Sequence, residues 1–563
     1  MWWLKGRTIW HVAVQGGLVL TLAACATRPT SSPAAVNFPS GPVAAVQVTE
    51  STLSHSAPCA GAFITHTLDH ITLTHGKAVH MFETNGAGVA INDLDADGLL
   101  DLVLANFKGP ATILWNQGQL KFEKETLDDY NTRAVNSVDV DGDERLDIVF
   151  THIATTLSYW RNIGRDAEVG RPLFSHEALP RVLKPAHSMA WGDINGDGDL
   201  DLVTGSYDAE LNLQPGSTFL FTDGAGIYYY AREKDSFLPQ RLAPQSQALV
   251  IALFDANADG RPDILVGNDF DTPDFAWAQT DDGWQTMRPF PITTQHTMSF
   301  DAGDIDNDGQ PELFATDMKP YDVSVDTMVA WLPMMATMRQ IRPAGQTAEN
   351  VLLIREANGR YRNVAVERAV DATGWSWSGK FGDLDQDGFL DLYVVNGMMD
   401  AELFHYLPGN ELVEENQALR NLGDGSFLPA PEWGLGSTTS GRGMSMGDLD
   451  NDGDLDIVVN NLRSPAQLFE NQLCGDAGLE VQLRWPESQN TQALGAQLAL
   501  QTSTGTYFRE VRAGSGYLSG DPARVHFGFP ADATIKELVI HWPDGAVSQL
   551  TSIEAHTLLS VTR

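Results

Sequence analysis

The sequence predicts an all-β chain, most of it a β-propeller, followed by a smaller β-domain. Two observations carry most of this expectation. A nine-residue acidic pattern recurs seven times between residues 93 and 456, and each copy runs straight into a short apolar segment of β type. Hairpin turns recur between the copies, and further strand-like segments follow the last one.

The repeated pattern is D-x-[DN]-x-D-G-x-x-[DE]. Its first copy holds Asp93, Asp95, Asp97 and Asp101, its second Asp139, Asp141, Asp143 and Asp147. The third holds Asp193, Asn195, Asp197 and Asp201, the fourth Asp255, Asn257, Asp259 and Asp263. The fifth holds Asp304, Asp306, Asp308 and Glu312, the sixth Asp383, Asp385, Asp387 and Asp391. The seventh holds Asp448, Asp450, Asp452 and Asp456. Oxygens at alternate positions of a tight loop can converge on one point, as a hard cation such as calcium requires. Glycine at position 6 permits the sharp turn, and the acid at position 9 closes the ligand set. Only the second copy lacks that glycine, carrying Glu144 instead, which leaves two readings open: a metal site like the others, or a loop that holds metal weakly or is structural only. An EF-hand would place its closing acid at position 12 between two helices; here the acid sits at position 9 and leads into Leu-Val-Leu or Ile-Val-Phe. The expectation is up to seven calcium sites that stiffen the fold and do no chemistry.

Between the loops lie apolar runs flanking Asn/Asp-Gly turns, as in Ile113–Gly118, Phe219–Gly224, Leu353–Gly359 and Leu419–Gly425. Each repeat therefore supplies a metal loop and several antiparallel strands, enough for one blade.

The loops and hairpins together resemble FG-GAP/VCBS repeats, the type found in integrin α-subunit propellers and many secreted bacterial proteins. Gly374–Trp377 through Asp383 to Gly397 resembles the ASPIC/UnbV (cartilage acidic protein-like) family more closely. The tail agrees in Leu494–Ala496, Arg512–Leu518, Val525–Gly528 and His541–Gly545. The resemblance implies a seven-bladed calcium-binding propeller over 59–474 and a C-terminal β-domain over 475–563. It implies little about activity, since propellers host many functions.

The N-terminus reads as an export signal over 1–24. Lys5 and Arg7 precede an apolar stretch from Ile9 to Leu22 that is too short and interrupted to span a bilayer comfortably. Leu22-Ala23-Ala24-Cys25 resembles a bacterial lipobox, which predicts lipidation of Cys25, an envelope location and, with Ala26 next, an outer-membrane lipoprotein. An ordinary secretory signal is the alternative. Residues 25–58, rich in Ala, Pro, Ser and Thr, read as a flexible tether. With Cys25 lipidated, Cys59 and Cys474 remain at the two ends of the repeat region, and a disulfide between them is expected over two separate buried thiols.

The formal net charge is −38, from 36 basic and 74 acidic residues, which disfavours nucleic acid and anionic lipid as partners. About a third of the acids lie in the seven loops, so bound calcium would offset part of the self-repulsion. Met328, Met334, Met335 and Met338 near Trp331 read as the apolar face of an insertion helix, with a copper site or a protein-binding face as alternatives. Trp542 is expected to anchor a Pro543-Asp544-Gly545 turn, Gly514-Ser515-Gly516 to form a turn, and His296 to be a satisfied polar residue at a blade edge. Zinc-protease, Walker and Rossmann motifs do not occur in the sequence, and an enzyme is the less favoured expectation. Three functions remain: a tethered module binding protein or glycan, a lyase-like carbohydrate-active enzyme, and an accessory protein for envelope assembly.

Overall fold

Seven sheets, each with four antiparallel strands opened by a short buried strand and an acidic loop, make up the repeat region of the computed structural model; the sixth gains Met318–Lys319 as a fifth strand and the first gains a two-stranded hairpin from the tail. Residues 41–54, 59–166, 170–213, 225–338, 344–473, 475 and 477–563 are described. The signal segment, Cys25 and Cys474 lie outside them.

The first strands of the seven sheets are Val89–Asn92, Thr132–Val138, Ser188–Gly192, Ala248–Phe254, Phe300–Gly303, Gly374–Gly382 and Gly441–Gly447. Second strands follow each loop immediately, from Asp101–Leu104 to Asp456–Asn461, and are buried along their whole length. Burial on both faces explains why they read as unbroken apolar runs rather than alternating ones. Fourth strands show the opposite character; Phe122–Tyr130 is largely exposed. The seventh sheet takes its fourth strand, Ile64–Ile71, from the start of the repeat region, paired antiparallel to Pro465–Glu470. First strands also pack on one another in succession, and that of the seventh sheet packs on that of the first.

The core lies between neighbouring sheets. Between sheets 1 and 2 it contains Val103, Ile113, Trp115, Ile148, Phe150 and Trp160, and between sheets 5 and 6 Phe314, Leu352, Phe381, Leu392 and Phe427. Large side chains on second and third strands thus fill the wedge between adjacent sheets.

The tail forms two four-stranded sheets. One combines Ala477–Arg484, Arg524–Phe529 and Thr557–Thr562 with an N-terminal strand, Gln47–Thr52. The tether expected to reach residue 58 is therefore a strand over part of its length. Its six residues are exposed and carry little apolar signal, so only pairing to Thr557–Thr562 fixes it. Trp542 is buried, donates from Nε1 to Ser548 Oγ at 2.9 Å and closes its turn through Gly545 N–H, as expected of an anchor.

A hairpin from the tail, Gly514–Ser515 with Ser519–Gly520, joins the first sheet beside Val89–Asn92. Its backbone donates from Gly516 to the Phe300 carbonyl and accepts at Leu518 from Val135. At its tip Tyr517 is fully buried, its hydroxyl donating to the Asn85 carbonyl at 3.0 Å and its ring 5.3 Å from that of Trp377. Approach is so close that a Cβ on Gly88 would lie 1.7 Å from the Leu518 oxygen. The hairpin therefore touches first strands of sheets 1, 2, 5 and 6.

Candidate metal centres

Each acidic loop is wound around its own first carboxylate. The backbone N–H at position 6 donates to that carboxylate in all seven loops, at 2.7 to 3.1 Å. Position 6 has positive φ throughout, from 66° at Glu144 to 94° at Gly388. That requirement is the physical reason for glycine there. Position 4 is left-handed as well, at Ala96, Gly142, Gly196, Ala258, Asn307, Gln386 and Asn451, a second constraint that the sequence pattern did not reveal.

The acid at position 9 ties the loop to its sheet. Asp101 accepts from Leu94 N–H at 3.1 Å and Asn116 N–H at 2.8 Å, and Asp456 likewise from Leu449 at 3.0 Å and Asn471 at 2.8 Å. The same asparagines reach the neighbouring sheet. Asn116, Asn421 and Asn471 donate from Nδ2 to the carbonyls of Leu449, Ile305 and Leu384, each at position 2 of the preceding loop. These clamps were visible in the sequence only as hairpin residues; their role depends on a contact between sheets.

Carboxylate oxygens converge within 4.8 Å in five loops: Asp93/Asp95/Asp101, Asp139/Asp141/Asp147, Asp304/Asp306/Asp308, Asp383/Asp385/Asp391 and Asp448/Asp450/Asp456. The third and fourth loops have Asn195 and Asn257 at position 3, so an amide oxygen stands where the others have a carboxylate. Asp193, Asp197 and Asp201 and Asp255, Asp259 and Asp263 nevertheless keep the same turn, with Asn195 and Asn257 accepting from the position-5 N–H at 2.9 and 2.8 Å.

Burial of these acids is costly. It pushes Asp101 and Asp147 up to about 8, against backbone N–H bonds that lower them and loop carboxylates that raise them further. Burial likewise raises Glu312 to about 9, and drives Asp383, Asp391, Asp448 and Asp456 well above the carboxylate range. Closely spaced, desolvated carboxylates call for a cation, and a donor set made entirely of carboxylate, amide and carbonyl oxygen suits calcium. The residues present fit that ion.

Arginines sit on some of the acids. Arg161 lies 2.5 Å from Asp141, with Arg145 on Asp143 of the same loop, and Arg420 lies 2.6 Å from Asp385. The second loop departs from the pattern through Glu144, whereas guanidinium groups on loop carboxylates are shared with the fourth and sixth loops.

Family comparisons agree with this geometry. Residues 481–563 match the model described as ASPIC and UnbV, and 93–150, 139–204, 255–315 and 406–459 match that of the FG-GAP-like repeat. The chain carries FG-GAP-like repeats and an ASPIC/UnbV domain. The sixth loop lies outside the matched stretches, yet Leu384 N–H on Asp391 and Gly388 N–H on Asp383 reproduce the hydrogen bonding of the others. Cartilage acidic protein 1 of mouse and of human are each 30% identical to this chain over 152 residues, 25% of this chain and 23% of the relative. The chain therefore matches less than a quarter of the length of these curated relatives.

The ASPIC/UnbV domain sits against the FG-GAP-like loops. Thr491 donates to Asp139 Oδ2 at 2.6 Å, Arg509 lies 3.7 Å from Asp383, and Ser488 donates to the Gly198 carbonyl at 2.8 Å. Arg524 reaches the Gly98 carbonyl at 3.1 Å.

Other residues singled out from the sequence fall into structural roles. His296 pairs with Asp269 at 2.5 Å, which in turn accepts from the Tyr207 hydroxyl at 2.5 Å. Trp331 of the Val325–Met338 helix is buried and donates to Glu414 at 2.9 Å, while Met334 and Met335 pack against the core. Cys59 is disulfide-bonded; Cys474, its expected partner, is outside the described residues, although Gly61 N–H bonds the nearby Gln472 carbonyl at 2.7 Å.

Proposed function

We propose that this chain is a seven-bladed, calcium-loaded propeller, exported and lipid-anchored at Cys25, that presents a binding surface for a protein or glycan at the cell envelope. The observation that carries the reading is the repeated convergence of buried carboxylates in loops that also brace the sheets. Each loop already hydrogen-bonds its own strands, so bound calcium would lock first and second strands together. Its ligands are loop oxygens, which suits stiffening rather than turnover; a catalytic metal keeps an open position. The serial packing of first strands and the strand borrowed from residues 64–71 support a closed propeller. The signal-like N-terminus and Cys25 support the envelope location, and the Ala/Pro-rich stretch supports display on a tether.

Elemental analysis of the purified chain, with thermal unfolding before and after EGTA, tests this reading. Several calcium ions per chain, lost together with thermal stability, are expected. Absence of calcium, with no change on chelation, would sink it.

A further inference from the structure

Three cavities are lined jointly by the repeats and the ASPIC/UnbV domain. A fourth, of about 750 Å³, is different: the tail domain contributes nothing to its walls. It is built from segments joining second to third strands, including Lys108 and Ile153–Leu157, and from the passage between sheets 1 and 2 at Asn131–Arg133. The metal loops join first to second strands, so this cleft opens at the opposite end of the strands, clear of the domain that covers those loops. Its size lies within the usual range for small-ligand sites.

Its floor is a preorganised polar network. Asp129 accepts from Trp160 Nε1 at 2.9 Å and from Ser158 Oγ, while His152 Nε2 lies 3.3 Å from Asp129 and 3.0 Å from Ser158. Deeper in, Arg133 is 2% exposed, lies 4.0 Å over the Phe107 ring and donates from Nη2 to Glu210 at 2.6 Å. Its Nε and Nη1, and Glu210 Oε2, have no protein partner among the described residues. Buried polar groups without partners are rare and mark places where another polar molecule completes the network. The rim adds a flat surface: the exposed His176 ring lies parallel on Trp160, with centroids 4.6 Å apart and planes 2° apart, and Tyr130 is half exposed.

We propose that this cleft binds a neutral oligosaccharide. The proposal deepens the binding-module reading above and rests on it. Flat ring faces suit the C–H face of a sugar, while carboxylate, imidazole and hydroxyl groups suit its alternating donors and acceptors. Charge disfavours acidic ligands: Arg133 is already compensated by Glu210, Lys108 stands in a lining that also holds Asp129 and Glu177, and the chain's net −38 repels acidic polymers.

The test presents the purified, calcium-loaded full chain to an array of neutral β-glucan, mannan, xylan and chitin oligosaccharides, beside acidic oligosaccharides and a peptide library. The retained probe is then titrated against His176→Ala, Tyr130→Ala and Glu177→Gln, which alter exposed groups and are checked for unchanged melting temperature. Retention of a neutral oligosaccharide, weakened about tenfold or more by His176→Ala and Tyr130→Ala, is expected. A bound saccharide insensitive to all three variants overturns the cleft and leaves the binding-module reading intact. Retention of peptides or acidic glycans alone, or of no saccharide by a chain that still holds its calcium, overturns the neutral-sugar assignment without touching the calcium propeller.

Discussion

At the scale of single residues, the acid at position 9 does two jobs. Asp456 faces Asp448 and Asp450, and it also receives the N–H groups of Leu449 and Asn471. Asp456→Asn removes a charge from the ligand set while keeping one acceptor. Loss of about one calcium per chain is expected by elemental analysis, with about 1–3 kcal/mol of destabilisation in calcium-saturated buffer. A different residue sets a pH dependence. His70, buried in Ile64–Ile71 beside Thr112 Oγ1 at 3.0 Å, is lowered to about 3, chiefly by burial. A histidine with a depressed folded pKa is neutral when folded and takes up a proton only on unfolding. Its contribution is thus fully present above the unfolded value near 6.5 and is lost at about 1.4 kcal/mol per pH unit as pH falls toward 3. Denaturant titrations at pH 7 and pH 5, with calcium saturating, should show this fall in the wild type and a smaller one in His70→Gln. Equal slopes would remove His70 from the account.

At the scale of the element, what was legible in the sequence was the loop and its strand, because both are local. Spacing of oxygens, glycine at position 6 and the apolar run afterwards all lie within a dozen residues. What could not be read was non-local. Asn421 looks like a turn residue until its Nδ2 is seen on the Ile305 carbonyl of the previous sheet, and Gln47–Thr52 looks like linker until it pairs with Thr557–Thr562. Gly514-Ser515-Gly516, expected to be a turn, is instead the first arm of a hairpin whose turn falls at Tyr517-Leu518, and its burial against the sheets could not be read, since its partners lie far away in sequence. In the second loop, whose missing glycine left metal binding open, Asp139, Asp141 and Asp147 converge as the acids of four other loops do. Glu144 occupies φ 66° with a side chain, and Arg145 and Arg161 take two of the carboxylates. Glu144→Gly should stabilise the chain by about 1 kcal/mol through relief of left-handed strain, seen as a higher melting temperature. A fall would mean that the Glu144 side chain makes a compensating contact.

At the scale of the molecule, the loops and the tail domain share atoms. Thr491 bonds Asp139, Arg509 approaches Asp383, and His526 Nε2 lies 3.0 Å from the Gly453 carbonyl, so with the bonds to Gly98 and Gly198 five loops meet the tail directly. A cation that fixes these loops fixes the surface on which the tail docks, and a docked tail fixes the loops. Such coupling is reciprocal: whatever factor calcium contributes to docking, docking contributes to calcium affinity. The hairpin tip offers a way to change docking without touching a ligand. Tyr517→Ala removes a fully buried aromatic side chain and its bond to Asn85, at a cost of about 3–5 kcal/mol. Calcium titration of that variant should show affinity lowered by about fivefold or more, while hydrogen exchange of 512–521 in the wild type should speed up on chelation. Unchanged calcium affinity in a variant whose tail demonstrably exchanges faster would separate the two domains energetically, and the loops would then have to be stable without their cover.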